Sequence, residues 1–159
     1  MAMRTAPAVD ELISILGRQA TKCKTEGRYE DALSHIYESL RLKEASATDY
    51  GISLELRVST YLDLLGRTNE AERYLLDLVE ALKGAGAFGR HEFFKMKIYD
   101  KLAVIFRRRK DLMKVAEYSR LSRVHQLRGI NVGLALNPEL RSQYLKNIAA
   151  RSTKGEGGR

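Results

Sequence analysis

The sequence predicts an all-α fold of repeated helix–turn–helix units, an α-solenoid, and three observations carry that expectation. First, Gly27-Arg28-Tyr29-Glu30-Asp31-Ala32-Leu33 and Gly66-Arg67-Thr68-Asn69-Glu70-Ala71-Glu72 read alike, each with a Gly-Arg turn five residues before a small Ala. Second, apolar residues then recur at helical spacing, Ile36 and Leu40 after the first turn and Leu75, Leu78 and Leu82 after the second. Recurrence of one such unit is the signature of stacked helical repeats. Third, there are only two prolines, Pro7 and Pro138, and no segment of useful length alternates apolar and polar residues as a half-buried strand would;.

Seven helices are expected in one domain over residues 8–150. The first spans Ala8–Thr25, with Leu12, Ile15, Leu16, Ala20 and Cys23 on one face. The second spans Tyr29–Ser46 and turns Ala32, Leu33, Ile36, Leu40 and Leu42 inward;. The third covers Thr48–Leu65, and Thr48 or Asp49 is placed to cap its exposed amides;. The fourth covers Asn69–Lys83. The fifth covers Glu92–Arg109, with Phe94, Ile98, Leu102, Ile105 and Phe106 as its stripe. The sixth covers Leu112–Arg128. Asn137-Pro138-Glu139 starts the seventh, because Pro at the first helical position lacks only an amide that would be unpaired anyway;. That helix should end near Ala150, leaving Arg151–Arg159 as a disordered, Gly-rich basic tail;.

Charge is unevenly placed. Residues 1–89 hold 11 Lys/Arg against 14 Asp/Glu, a net −3, while residues 90–159 hold 17 against 6, a net +11. The basic half suits an acidic peptide, nucleic acid or an anionic surface, and a basic surface also serves solubility. Apolar runs fall far short of the roughly 20 residues that span a bilayer. Met1–Asp10 has one Arg and no apolar segment, so no secretory leader is expected;. Cys23 is alone, which excludes a disulfide framework and makes a reducing, cytoplasmic setting the expectation;.

The helix pairs resemble tetratricopeptide repeats. The carrying residues are Ala20, Gly27, Tyr29 and Ala32 in the first unit and Gly66, Ala71 and Leu75 in the second. A third, degenerate unit has Lys110-Asp111-Leu112 at the turn and Val115 in the place of Ala. Small residues let paired helices approach closely, and Gly permits the tight turn. The resemblance covers residues 12–128. The turns lie 39 and 44 residues apart rather than about 34, closer to the long-repeat relatives;. The usual bulky residue of the first helix is Leu16 in unit one but Glu55 in unit two, and Glu44 stands where the family closes a unit with Pro. The resemblance implies that the seventh helix caps the array, with Leu140, Tyr144, Leu145 and Ile148 over the last apolar face;.

Chemistry-bearing motifs are weak. Gly84-Ala85-Gly86-Ala87-Phe88-Gly89 matches G-x-G-x-x-G, but a helix precedes it where a dinucleotide site needs a strand;. His35, His91 and His125 are not at metal spacing and read as surface or capping residues. Cys23 reads as a small core hydrophobe. No nucleophile–base set suggests itself, so no enzyme and no cofactor are expected. Arg107-Arg108-Arg109-Lys110 closes the fifth helix, and Arg120 and Arg123 follow on the sixth. Cations suit a helix C-terminus, yet four in a row exceed capping and form a candidate basic patch.

The resemblance also implies a peptide groove formed by the first helix of each unit. Nine residues before the turn residues 27, 66 and 110 stand Arg18, Arg57 and Lys101, and Lys97 lies one helical turn before Lys101;. Chaperone-binding relatives hold a terminal carboxylate with basic residues at the Lys97 and Lys101 places. They also need Lys and Asn where this chain has Gly17 and Thr21, and Asn where it has Arg57, so that clamp is at best half present. The expectation is an adaptor or scaffold that binds an acidic or amphipathic segment of a protein partner through Arg18, Arg57, Lys97 and Lys101. The alternatives are a subunit packing through its C-terminal helices, or a nucleic-acid or anionic-surface module using residues 90–159.

Overall fold

The computed structural model describes residues 5–46, 48–84, 86–136 and 138–155. These form seven α-helices: α1 (Thr5–Thr25), α2 (Tyr29–Ala45), α3 (Ser53–Leu64), α4 (Thr68–Ala81), α5 (Arg90–Arg108), α6 (Leu112–Leu136) and α7 (Pro138–Gly155), with one 3₁₀ turn at Ala87–Gly89. No strand occurs among the described residues. The helices pack in adjacent pairs, α1 on α2, α3 on α4 and α5 on α6, and α3 also meets α5 directly.

The turns inside the three pairs share one hydrogen-bond pattern. Arg28 N–H donates to the Cys23 carbonyl, Arg67 N–H to that of Leu62, and Asp111 N–H to that of Phe106. Gly27, Gly66 and Lys110 each donate to the carbonyl three residues back. The residues at these turns are left-handed, at φ +75°, +78° and +59°. A left-handed residue just past a helix end satisfies carbonyls that the helix leaves open. Ala32, Ala71 and Val115 then donate to the carbonyls of Arg28, Arg67 and Asp111, starting each second helix alike. The degenerate third turn therefore has the geometry of the first two, with Lys110 standing where the others have Gly.

Close approach follows from small side chains. Ala20, Ala32 and Ala71 are fully buried beside Ile36, Val58, Leu62, Leu75, Ile98, Leu102 and Ile105. Cys23 is buried among them and reduced. Ile13 faces the core of α1, whereas Leu12 is 48% exposed, against the expected stripe. Glu55 is tolerated in the bulky place of unit two because Lys43 reaches it from α2, at 2.6 Å, and also donates to the Gly51 carbonyl.

Two boundaries differ from expectation for identifiable reasons, and the end of α7 differs as well. α3 begins at Ser53, not Thr48, because Thr48 and Asp49 are used in the preceding loop. The Asp10 carboxylate of α1 accepts the hydroxyls of Ser46, Thr48 and Tyr50. Asp49 accepts the Gly51 amide and pairs with Arg90, which with that amide holds its carboxyl down at about 2. α6 runs to Leu136, past Arg128, because it packs on the start of α5 and on the 3₁₀ turn. Gly129 is what permits this, since a Cβ there would stand 3.1 Å from the Phe93 ring. α7 continues to Gly155, beyond the expected end near Ala150, and residues 156–159 of the expected tail lie outside the described residues. The expected capping role of α7 is not met at Leu145, which is 54% exposed; the side chains of Leu140, Tyr144 and Ile148 lie outside the described residues.

Two outcomes test this packing. Ala71→Leu should lower stability by about 1–3 kcal/mol through overpacking, read as a fall in the urea midpoint; an unchanged midpoint would show that the pair does not close on Ala71. Lys110→Gly should raise stability by about 0.5–1 kcal/mol, because it relieves a left-handed residue bearing a Cβ. A lower midpoint in that variant would refute the assigned turn.

Candidate peptide-binding groove

Arg57 is the centre of the face shared by α1, α3 and α5. Its Nη2 donates to the Gly17 carbonyl at 3.0 Å, to Thr21 Oγ1 at 3.0 Å and to the Tyr61 hydroxyl at 2.8 Å. Its guanidinium also lies 5.7 Å from the Tyr61 ring centroid, within the range of a cation–π contact. A glycine inside α1 costs roughly 1 kcal/mol relative to Ala. Its use is visible here, since a Cβ on Gly17 would stand 3.2 Å from Arg57 Nη1. Gly17 and Thr21 of α1 thus receive the Arg57 head group from α3.

Two adjoining clefts open on either side of this guanidinium. One, of about 470 Å³, is lined by Ile13, Gly17, Arg18, Tyr50, Leu54 and Arg57 among others. The second, of about 260 Å³, is lined by Thr21, Lys24, Arg57, Thr60, Tyr61 and Lys101. Thr21 and Arg57 belong to both. Arg18, Arg57 and Lys101 therefore lie along one face, and Lys24 joins them. Lys97 is exposed on α5 and lines neither cleft. Burial pushes the Lys101 amine below its ordinary value, Arg108 and Lys24 push it further, and Asp63 partly offsets them.

The run at the end of α5 is divided between roles. Asp63, on α3, is 1% exposed, and its carboxylate is the shared acceptor. Arg109 donates to Oδ1 from Nε at 3.0 Å and from Nη2 at 2.8 Å, and to the Asp63 carbonyl at 2.6 Å. Arg108 Nη1 lies 3.4 Å from Oδ2, and Thr68 donates its hydroxyl to Oδ1 at 2.9 Å. Lys110 forms the turn. Arg107, Arg120 and Arg123 are exposed, and Arg123 borders a separate cleft between α5 and α6. The six cations read as one patch in the sequence are thus split, because Arg108 and Arg109 are already engaged by a buried acid.

Sequence reasoning missed Asp63, whose signal was an acid inside the apolar run Val58–Leu65. It also misplaced His125. That histidine is buried, with Nδ1 2.6 Å from Glu92 Oε2 and its ring stacked on Tyr99 at 5.4 Å. A third bridge joins α4 to α6, where Glu72 accepts from Lys114 at 2.7 Å and from the Tyr118 hydroxyl at 2.9 Å. Burial and Glu72 raise the Tyr118 phenol well above its ordinary value.

Asp63→Asn should lower stability by about 2 kcal/mol, since Thr68 and the two arginines lose a charged acceptor, a loss held down because the half-exposed arginines recover water;. Arg107→Ala should stay within about 0.5 kcal/mol of the parent. Equal urea midpoints for the two variants would remove Asp63 from its assigned role. No helix among the described residues is long and apolar enough to cross a membrane. Comparison with protein-family models, with curated proteins and with solved structures finds no match in any of the three.

Proposed function

We propose that the chain is a non-enzymatic adaptor of the tetratricopeptide-repeat type, a solenoid of three helix pairs followed by α7. On this reading it binds an acidic or amphipathic peptide segment of a protein partner along the face of α1, α3 and α5. The observation that carries the reading is the continuity of the two clefts through Arg57, with Arg18 at one end and Lys101 at the other. The common geometry of the three turns supports the repeat assignment. The first cleft mixes apolar Ile13 and Leu54 with Arg18, which suits an amphipathic segment. Basic groups along such a face steer an acidic chain toward it and raise the association rate more than they tighten the complex.

A second reading, packing of α6 and α7 in a larger assembly, is favoured by the exposure of Leu127 and Leu145. Binding to nucleic acid through residues 90–159 is the third, and it loses two of its cations to Asp63.

The test compares two double charge reversals measured by fluorescence anisotropy on a labelled library of acidic amphipathic peptides. Arg18→Glu with Lys101→Glu should weaken binding at least about tenfold and slow association, as removal of steering charges does. Arg151→Glu with Lys154→Glu, which changes net charge equally, should have little effect. Arg57 is left intact because it also holds α1 to α3. Equal losses in the two variants would end the groove reading. Tight, steeply salt-dependent binding of arbitrary RNA, with no peptide bound, would favour the nucleic-acid reading instead.

A further inference from the structure

The smaller cleft has a chemistry narrower than that of a basic surface. Three cations, Lys24 from α1, Arg57 from α3 and Lys101 from α5, line it, and no carboxylate does. Neither Lys24 nor Lys101 has an ion-pair partner among the described residues, and their charges repel each other and that of Arg108. The nearest acid, Asp63, is occupied by Arg108, Arg109 and Thr68. Thr21 donates its hydroxyl to the Gly17 carbonyl and Thr60 to that of Leu56. Tyr61 differs, for its oxygen accepts from Arg57 and its own O–H is left to donate. The cleft therefore presents two ammonium groups, a fixed guanidinium and one phenol, all donors.

A ligand that answers this set is acceptor-only, compact and more than singly charged. We infer that the cleft between Lys24, Arg57, Tyr61 and Lys101 is a subsite for a phosphoryl group carried on a peptide side chain. This deepens the groove reading and rests on it, the phosphorylated residue sitting at the α5 end of the bound segment. A carboxylate would neutralise one of the three cations, whereas a phosphoryl group brings a charge of about −1.5 to −2 and three strong acceptor oxygens. The held geometry of Arg57 serves the same end, because its bonds to Gly17, Thr21 and Tyr61 order it before a ligand arrives. The position of Lys101 fits as well. A half-buried lysine crowded by like charges is unfavourable to the empty protein, and groups so perturbed collect at binding sites.

The pH dependence is specific. The second ionisation of a phosphoryl group falls near pH 6, so affinity should rise as pH passes upward through that region. The groups facing the Lys101 amine are Lys24, Arg57, Tyr61, Asp63 and Arg108. Its ionisation is lowered by burial and then by its cationic neighbours. Affinity should consequently fall on the alkaline side before an ordinary lysine would lose its proton.

The experiment uses the full chain and a five-residue peptide of four glutamates around a central phosphoserine, beside the same peptide with serine. Isothermal titration should show the phosphorylated peptide binding about ten- to a hundredfold tighter, the range expected of hydrogen bonds to charged groups. Lys24→Met and Lys101→Met should each abolish most of that difference while leaving the serine peptide less affected. Arg41→Met, which removes an exposed charge paired with Glu38, should preserve it. Lys101→Met should also leave the urea midpoint unchanged or raised, so that lost binding is not lost folding. Equal affinities for both peptides, with groove reversals still weakening both, would overturn the phosphoryl subsite and leave the groove reading standing. No binding of either peptide would overturn both. Competition by single-stranded RNA as effective as that by the phosphopeptide would assign the cleft to backbone phosphate and overturn the peptide assignment.

Discussion

A carboxylate buried at the end of one helix organises the middle of this molecule. Asp63 is almost inaccessible to water, and a charge in that position is tolerated only when its oxygens are bonded;. Its donors come from two places, Thr68 just past the α3–α4 turn and Arg108 and Arg109 at the end of α5. Arg109 also donates to the Asp63 carbonyl, which accepts the Gly66 amide of the turn as well. The cluster thus joins the second helix pair to the third across residues far apart in sequence. Replacing a buried ion pair with apolar residues is often neutral or stabilising, so its clearer role is to set the register of α5 against α3. That register decides where Lys101 falls, because Lys101 lies two turns before Arg108 on the same helix;.

The three pairs show how a common turn is reached from different residues. Gly27 and Gly66 enter the left-handed region without steric cost, and Lys110 enters it with a Cβ;. The backbone bonds around them are nonetheless equivalent. Helix contacts vary more. The first pair closes on Ala20 and Ala32 and the second on Ala71. The third closes through Val115 and through the aromatic group of Tyr99, Phe106, Tyr118 and His125. The larger residues of the third pair are accommodated by side chains stacking, with close approach kept at Gly129, where α6 meets the Phe93 ring.

Charge is used in two ways, and only the structure separates them. Lys43 with Glu55, Lys114 with Glu72, and the two arginines with Asp63 join successive helix pairs, α2 to α3, α6 to α4 and α5 to α3. They sit on the edges of the core, where long aliphatic stems cover apolar surface while the heads meet an acid. Among the described residues Arg18, Lys24 and Lys101 have no such acid, and they face the clefts of α1, α3 and α5. Arg57 belongs to both groups, since it ties α1 to α3 through neutral acceptors and keeps its charge uncompensated.

The sequence by itself determined the local structure. Helical periodicity, the recurring Gly-Arg turn with its Ala, and the scarcity of Pro were enough for seven helices, for the pairing of neighbours and for the burial of Ala32, Ala71 and Cys23. These are short-range properties, set by which backbone angles a residue allows and which face it makes apolar. The same arithmetic put Arg18, Arg57 and Lys101 on one helix face each, and so reached most of the candidate groove. Tertiary structure decided the rest. That Arg108 and Arg109 are spent on Asp63, that His125 is buried on Glu92, that Thr48 and Asp49 build a loop with Asp10 and Arg90, and that Gly129 extends α6 under Phe93 all depend on partners tens of residues away. Whether a charge is solvated or paired is a property of its neighbours in space, and the neighbours of Asp63 and Lys101 exist only once the helices have packed.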